Sequence, residues 1–331
     1  MFDAFPLYVP LSLGAFIATL VGTRVLLVAQ KRRTPAPEIA VLTRKKPPAL
    51  PGGGGIAPVV AIMVCLTLAD FPFEILLAML LLAASCLMHS LISLPLMIRS
   101  LVMVLATTIP LSLMPHGLFG QWLPVNTDKL FTGLLWIWFM ATTASIEKQD
   151  GPFTIPCIAI AGALCLVAVF AGQFPSPLSI HSLLVACALA GFMWWNWPPA
   201  KIRMGEVGAV PIAFLIGYLL MVAANSGYHY TAFILCAYIV SDGLATQLRR
   251  LATRHPSAPY FYQLAAAQGL APRRIADLMI GVHLLLGFLA LRCLIDPQSS
   301  LLYIALAYGC ALALMVFFAT RKPATESLPH A

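Results

Sequence analysis

Long apolar runs dominate the hydropathy pattern of this 331-residue chain. A hydrocarbon core of about 30 Å is crossed by about 20 residues of α-helix, so runs of this length predict membrane-spanning helices. Membrane β-strands are much shorter, and these runs are continuously apolar. The pattern therefore predicts an all-α bundle of about eleven spans, near residues 7–29, 55–70, 72–90, 97–115, 129–147, 153–172, 178–195, 208–225, 229–247, 276–294 and 299–319.

Basic side chains collect in every second connection between these runs, as they do in the cytoplasmic loops of membrane proteins. The chain is therefore predicted to be one polytopic domain, 1–331, with its N-terminus outside and its C-terminus in the cytoplasm. The predicted cytoplasmic segments lie near residues 30–54, 90–97, 147–152, 196–207, 248–275 and 320–331. Their basic residues are Lys31, Arg32, Arg33, Arg44, Lys45, Lys46, Lys148, Lys201, Arg203, Arg249, Arg250, Arg254, Arg273, Arg274, Arg321 and Lys322, with Arg99 at the same face.

Composition agrees with a chain that faces lipid. Hydrophobic residues make up 60% of it and charged residues 10%, where a soluble domain carries about a quarter charged residues. The formal charge of +8 does not indicate nucleic acid, because the basic residues lie in short clusters between apolar runs. Such clusters report topology and contact with anionic lipid headgroups. The eight cysteines include no CxxC pair and are interpreted as buried free thiols.

Two predicted cytoplasmic segments have the composition of a binding site. Four glycines, Gly52 to Gly55, precede the second span, and glycine lets backbone amides approach a phosphate at a helix N-terminus. The alternative is a flexible linker beside a basic anchor. The segment 195–209 packs Trp, Pro and Gly around the carboxylate of Glu206, which predicts a rigid backbone at the membrane surface. Chemistry is therefore predicted at the cytoplasmic face.

Several of these segments resemble motifs of one enzyme family. Residues 196–209 resemble the N-x-x-P-A-x-x-F-M-G-D-x-G-S signature of the bacterial polyprenyl-phosphate N-acetylhexosamine-1-phosphate transferases, glycosyltransferase family 4. Residues 51–56 resemble its P-x-G-G-G-I entry to the second span. Residues 87–99 resemble a loop with paired aspartates, L-P and an arginine. Residues 136–151 resemble the N-x-x-N-x-x-D-G-x-D-G loop, and residues 242–274 resemble the last large cytoplasmic loop.

The resemblance implies a reaction and a location. Members of this family move a sugar-1-phosphate from a UDP-sugar to undecaprenyl phosphate with Mg²⁺ and release UMP, in cell-envelope polysaccharide biosynthesis. The implied location is the bacterial inner (cytoplasmic) membrane. The expected partners are undecaprenyl phosphate, the UDP-sugar and the bilayer, with no nucleic acid and with a homodimer as a candidate assembly.

The resemblance also implies roles for particular residues. Glu206 and Asp150 are the expected Mg²⁺ ligands, and Glu147, Asp150 and His89 are the expected catalytic residues. A histidine can act as a general base near neutral pH. The alternative, which is favoured for His89, is a polar residue at a helix end that faces water. The expected substrate-binding residues are Asn196, Lys201, Arg249, Arg250, Arg273, Arg274, Gly53 and Gly54. For the arginine pairs, the alternative is the ordinary basic character of cytoplasmic loops.

The chain departs from the family at the positions that carry the chemistry. His89 and Ser90 stand in place of the paired aspartates, and glutamates stand at 147 and 206 in place of aspartates. A glutamate reaches roughly 1.5 Å farther than an aspartate. This matters because Mg²⁺ demands near-octahedral geometry at about 2.0–2.1 Å. The other departures are Ala141, Ala144, Ala209, Tyr260 and Tyr262.

Three hypotheses follow from these patterns. The first is a divergent sugar-1-phosphate transferase. The second is a catalytically inactive homologue that serves as a lipid- or partner-binding membrane subunit, which the missing aspartate pair favours. The third is a transporter, which is disfavoured because transporters keep functional charges near the bilayer midplane and these acids lie at one face.

Overall fold

The computed structural model describes residues 5–33, 53–146, 153–255 and 257–320, and this part of the chain is helical without a β-strand. The helices are α1 (Phe5–Arg33), α2 (Ile56–Leu68), α3 (Phe73–Ile92), α4 (Leu96–Leu113), α5 (Val125–Ile146), α6 (Thr154–Phe170), α7 (Pro177–Asn196), α8 (Glu206–Ala223), α9 (His229–Leu235), α10 (Ala237–Thr253), α11 (Phe261–Ala267), α12 (Pro272–Ile295) and α13 (Ser300–Thr320).

These helices give the chain the character of an integral membrane protein. Among the described residues, seven helical segments are long and apolar enough to cross a bilayer, and α2 and α6 are shorter apolar helices. Many large apolar side chains point away from the bundle, as on α13, where Leu301 is 73% exposed. Outward-facing apolar side chains suit a lipid environment, where they need no polar cover. The predicted all-α membrane class is therefore confirmed, whereas the number of spans stays a prediction.

The break predicted at Asp70-Phe71-Pro72 separates α2 from α3. Asp70 adopts a left-handed backbone with φ 54°, and Pro72 directly precedes α3. Between them, Phe71 is buried, with its ring centroid 4.7 Å from that of His181 and 5.4 Å from that of Tyr218. The buried ring anchors the turn to α7 and α8, because these two aromatic partners lie on those helices.

The ninth predicted span, 229–247, differs from the structure. It comprises two helices, α9 and α10, which are separated at Cys236, and α10 continues to Thr253. Before α9, Gly227 takes a left-handed backbone with φ 93°, which interrupts the helix that enters from α8. Hydropathy could not locate these changes, because both helices remain mostly apolar across the break.

Helix α8 lies at the centre of the bundle. It contacts α2, α3, α5, α6, α7 and α9, and 16 of its 18 residues are buried. Gly217 allows the Trp136 ring of α5 to pack against this helix, since a Cβ at that position would overlap the indole. The Trp136 Nε1 donates to the Phe214 carbonyl at 3.2 Å. The central position of α8 fixes the place of its first residue, Glu206.

Candidate functional site

A tight turn between α3 and α4 brings together two side chains that lie ten residues apart. Ser93 ends α3 in a left-handed conformation with φ 50°, and its amide donates to the His89 carbonyl at 3.0 Å. Pro95 then precedes α4, where its fixed φ suits the start of a helix. His89 in the last turn of α3 therefore faces Arg99 in the first turn of α4.

His89, Arg99 and Glu206 form a connected group that we call the Arg99 cluster. The Arg99 Nη2 donates to Glu206 Oε2 at 2.6 Å, although the two residues lie 107 positions apart in the sequence. The Arg99 Nη1 lies 3.3 Å from His89 Nε2. The Arg99 and Glu206 side chains are 20% and 41% exposed, so the ion pair is partly shielded from water and still open to a ligand.

Hydrogen-bond chemistry identifies the nitrogen of His89 that accepts from Arg99. A guanidinium has N–H donors and no acceptor, so the His89 Nε2 must accept from Arg99. The imidazole proton then lies on His89 Nδ1, which is buried and has no hydrogen-bond partner among the described residues. Arg99 is held from two sides, by a carboxylate of the central helix and by an imidazole of its neighbour.

Three consecutive backbone carbonyls hold the segment before Glu206. The carbonyl of Ile202 accepts from the Asn196 Nδ2 at 3.0 Å. The next two accept from the glycine turn that precedes α2: Gly54 donates to Arg203 at 3.0 Å and Gly55 donates to Met204 at 2.8 Å. Gly205 follows with φ 77°, a left-handed conformation that glycine adopts without strain, and α8 begins at the next residue.

The glycine turn is therefore a packing element, and the phosphate contact predicted for Gly54 stays a prediction. Its amide is bonded to the Arg203 carbonyl, so it is not free for a phosphate in this conformation. A Cβ at Gly55 would lie 2.5 Å from the Cα of Gly208, which shows how closely the starts of α2 and α8 approach. Gly53 has a left-handed backbone with φ 85°, and its predicted phosphate contact stays a prediction.

Asn196 has a structural role in the fold, and its predicted nucleotide contact stays a prediction. It is 4% exposed, and its Oδ1 accepts from the Thr154 Oγ1 at 2.8 Å while its Nδ2 donates to Ile202. The Asn196 side chain, at the end of α7, thus bonds to α6 through its oxygen and to the segment before α8 through its nitrogen. By contrast, Lys201 is exposed, with its Nζ 5.2 Å from the centroid of the Trp195 ring, and its predicted substrate contact stays a prediction.

Replacing Asn196 with alanine is expected to lower the thermal denaturation midpoint of the purified protein. The change leaves the Thr154 hydroxyl and the Ile202 carbonyl without their partner, at about 1–3 kcal/mol for a buried group. The matched control is Asn126→Ala, at an exposed position outside this network, with no expected shift. An unchanged midpoint with weakened UDP binding would instead assign Asn196 to the ligand.

Two arginines near the end of α10 lie on aromatic rings. The guanidinium carbon of Arg249 is 4.9 Å from the Phe261 ring centroid, and that of Arg250 is 5.1 Å from the Tyr260 ring centroid. The Phe261 amide donates to the buried Asp242 at 3.3 Å. Burial lowers the pKa of the Arg249 guanidinium, an effect that the nearby Asp242 carboxylate opposes. These contacts fix the α10–α11 connection, and the predicted clamping of a diphosphate by the pair stays a prediction.

The remaining predicted site residues fall into two groups. Arg273 and Arg274 are exposed in the first turn of α12, and their predicted phosphate contacts stay predictions. Glu147 and Asp150 lie outside the described residues. The structure thus brings together two of the predicted residues, His89 and Glu206. It adds Arg99 between them, which sequence reasoning placed at this face without assigning it a role.

The residues of the Arg99 cluster do not fit a magnesium ion. Mg²⁺ prefers oxygen ligands in octahedral geometry, whereas this group offers one carboxylate, already bonded to Arg99, and one imidazole. The neighbouring Ser90 hydroxyl donates to the Leu87 carbonyl of its own helix at 2.6 Å. Within the described ranges, no three His, Cys, Asp or Glu residues come close enough to hold a metal.

Together, the fold and the Arg99 cluster define a polytopic helical membrane protein with a polar, arginine-centred site where the first turns of α4 and α8 meet the last turn of α3. The family model of glycosyl transferase family 4 matches residues 72–224, which include α3 to α8 and all three residues of the cluster. Over these residues the chain is similar to glycosyl transferase family 4, which is the family that its motifs resemble.

Similar proteins include phospho-N-acetylmuramoyl-pentapeptide-transferases from several bacteria. The chain is 40% identical to that of Kocuria rhizophila over 75 residues, which cover 22% of the chain and 20% of the relative. It is 32% identical to that of Aliarcobacter butzleri over 92 residues, or 24% and 26% of the two proteins. It is 24% identical to that of Nitratiruptor sp. over 119 residues, or 31% and 34%. The matches thus span about a third or less of each relative's length.

Proposed function

We propose that this chain transfers a sugar-1-phosphate, of the N-acetylhexosamine type, from a UDP-sugar to undecaprenyl phosphate and releases UMP. The observation that carries the proposal is the Arg99–Glu206 contact of 2.6 Å. It joins two distant segments, 87–99 and 196–209, each of which resembles a substrate-handling loop of the matched family. Their meeting supports a retained site on this scaffold.

The proposal includes an orientation in the membrane. We propose about eleven spans, with the N-terminus outside and the Arg99 cluster at the cytoplasmic surface of a bacterial inner membrane. Two contacts support this arrangement: the Arg99–Glu206 ion pair joins α4 to α8, and the bond from the Gly54 amide to the Arg203 carbonyl joins the start of α2 to the segment before α8. A nucleotide sugar from the cytoplasm and a lipid phosphate from the inner leaflet would both reach that end.

A transfer assay tests the proposal. Membranes that contain the chain are incubated with undecaprenyl phosphate and labelled UDP-sugars, in parallel with Mg²⁺ and with EDTA, and label in the lipid fraction is measured. We expect transfer with at least one sugar, and a decrease of about tenfold or more in Glu206→Gln, which loosens the positioning of Arg99. Glu74→Gln, at the opposite end of α3, is the matched control without effect. Absence of transfer with every sugar contradicts the proposal.

A second candidate is a non-catalytic homologue that binds lipid or a partner protein. The observation in its favour is that the carboxylate of the Arg99 cluster is already neutralised by Arg99. Besides, His89 and Ser90 supply no acid at the positions of the paired aspartates. The same assay separates the two candidates, since this one predicts lipid-phosphate binding without transfer of label to lipid.

A further inference from the structure

The central group of the Arg99 cluster is a cation at a place where the family resemblance implies a metal. The Glu206 carboxylate, expected as a metal ligand, is bonded to the Arg99 guanidinium at 2.6 Å. Phosphate recognition needs positive charge and hydrogen-bond donors, and a guanidinium supplies both in a planar arrangement that matches phosphate oxygens. Arg99 can therefore neutralise the negative charge of a phosphate group itself.

Arg99 keeps donors for a ligand after its observed contacts are made. A guanidinium has five N–H donors, and the contacts with Glu206 and His89 engage Nη2 and Nη1 once each. Within the part of the chain that the structure describes, its other N–H groups have no partner. The side chain is 20% exposed, so these donors are held in place and can still be reached.

The surroundings of Arg99 favour an amphiphilic phosphate. The first turn of α4 carries large apolar side chains that face outward, among them Leu96 at 75% and Met97 at 84% exposure. They lie within one helical turn of Arg99 on the same helix, α4. A charged group beside exposed apolar side chains matches a molecule with a phosphate head and a hydrocarbon tail better than a fully polar ligand.

We propose that Arg99, held by Glu206 and His89, binds the phosphate group of a phosphorylated substrate and does so without a divalent metal. Glu206 acts as a positioning residue in this scheme and not as a metal ligand. The inference deepens the proposed function, on which it rests for the identity of the substrates. The phosphate could belong to a prenyl phosphate or to a nucleoside diphosphate, and the apolar turn favours the prenyl phosphate.

Binding measured without turnover tests this inference. The purified full-length chain in lipid nanodiscs is titrated by calorimetry with a short-chain prenyl phosphate and, separately, with UDP, each in EDTA and in Mg²⁺. We expect binding in EDTA that Mg²⁺ changes by less than about threefold, and a loss of about tenfold or more in Arg99→Gln. Arg292→Gln, at the far end of α12, is the matched control and keeps wild-type affinity.

Two further variants keep the test decisive. Glu206→Gln retains phosphate binding within about threefold if Arg99 is the binding group, and loses it if Glu206 holds a required metal. Arg99→Lys keeps the positive charge but loses the planar arrangement of donors, so we expect an affinity between those of the wild type and Arg99→Gln. If Arg99→Gln does not fold, Arg99→Lys still tests the role of the guanidinium. The ligand that binds in an Arg99-dependent way identifies the phosphate source.

Three results overturn the inference. These are no binding of either ligand, binding that requires Mg²⁺, and binding that Arg99→Gln leaves intact. The transfer assay fails or succeeds separately. Transfer that EDTA abolishes would support the proposed function and refute this inference. Binding in EDTA without any transfer would support this inference and refute the proposed function.

Discussion

Reversing the charge at position 99 is expected to destabilise the protein more than any neutral change there. Arg99→Glu would set a second carboxylate against Glu206, where a guanidinium now lies at 2.6 Å. The change removes a charged hydrogen bond, about 1.5–3 kcal/mol, and adds repulsion in a partly shielded place. We expect a clear fall in the thermal denaturation midpoint and complete loss of phosphate binding.

The double replacement Arg99→Glu with Glu206→Arg tests whether the two side chains act as a pair. It restores opposite charges in the reversed order, so we expect part of the lost stability to return, with a coupling energy of about 1–3 kcal/mol. Recovery remains incomplete because the first turn of α8 favours an anion, and the exchange puts a cation there. Phosphate binding stays absent, since the cation has moved from α4.

The control for this cycle is Arg292→Glu, a reversal at an exposed position in the last turn of α12, outside the Arg99 cluster. Its effect on the denaturation midpoint is expected to be small, because exposed ion pairs contribute about 1 kcal/mol or less. Equal midpoints for Arg99→Glu and Arg292→Glu, or additive effects in the double replacement, would show that the Arg99–Glu206 contact contributes nothing to stability.

The helical architecture could be predicted because hydropathy reports it directly. Each predicted span coincides with a helix or, for 229–247, with two, and the turn at Asp70-Phe71-Pro72 lies where Pro72 and a left-handed Asp70 interrupt the helix. In lipid, backbone groups must bond within the segment, so a long apolar run leaves little choice but a helix. The break at Cys236 carries no such signal, since the residues on both sides are mostly apolar.

The sequence predicts which charged residues share a face of the protein, but it does not predict which of their side chains make contact. Charge and position along the spans place Glu206 and Arg99 at the same face, yet they cannot show that the two side chains meet. Asn196 illustrates the same limit: its place in a motif predicts a ligand contact, but its burial and its two hydrogen bonds to the scaffold could not be predicted from the sequence. Whether a polar group serves a ligand or the fold depends on packing between segments far apart in sequence.

The second prediction with a large expected effect concerns the glycine turn that precedes α2. Gly55 has an ordinary helical backbone, with φ −68°, so an alanine there meets no conformational strain and the effect depends on contact alone. The added Cβ would lie 2.5 Å from the Cα of Gly208 and 2.7 Å from the Met204 carbonyl oxygen. These are backbone atoms that cannot swing aside as a flexible side chain could, so α2 must separate from α8.

Gly55→Ala is therefore expected to lower the thermal denaturation midpoint strongly and to abolish transfer while every residue of the Arg99 cluster is intact. Overpacking costs about 1–3 kcal/mol, and the separation also breaks the bonds from Gly54 and Gly55 to the segment before Glu206. Gly281→Ala is the matched control, because a Cβ there meets nothing within 4 Å. If Gly55→Ala kept the wild-type midpoint and activity, the close approach of α2 and α8 would not be what positions Glu206 against Arg99.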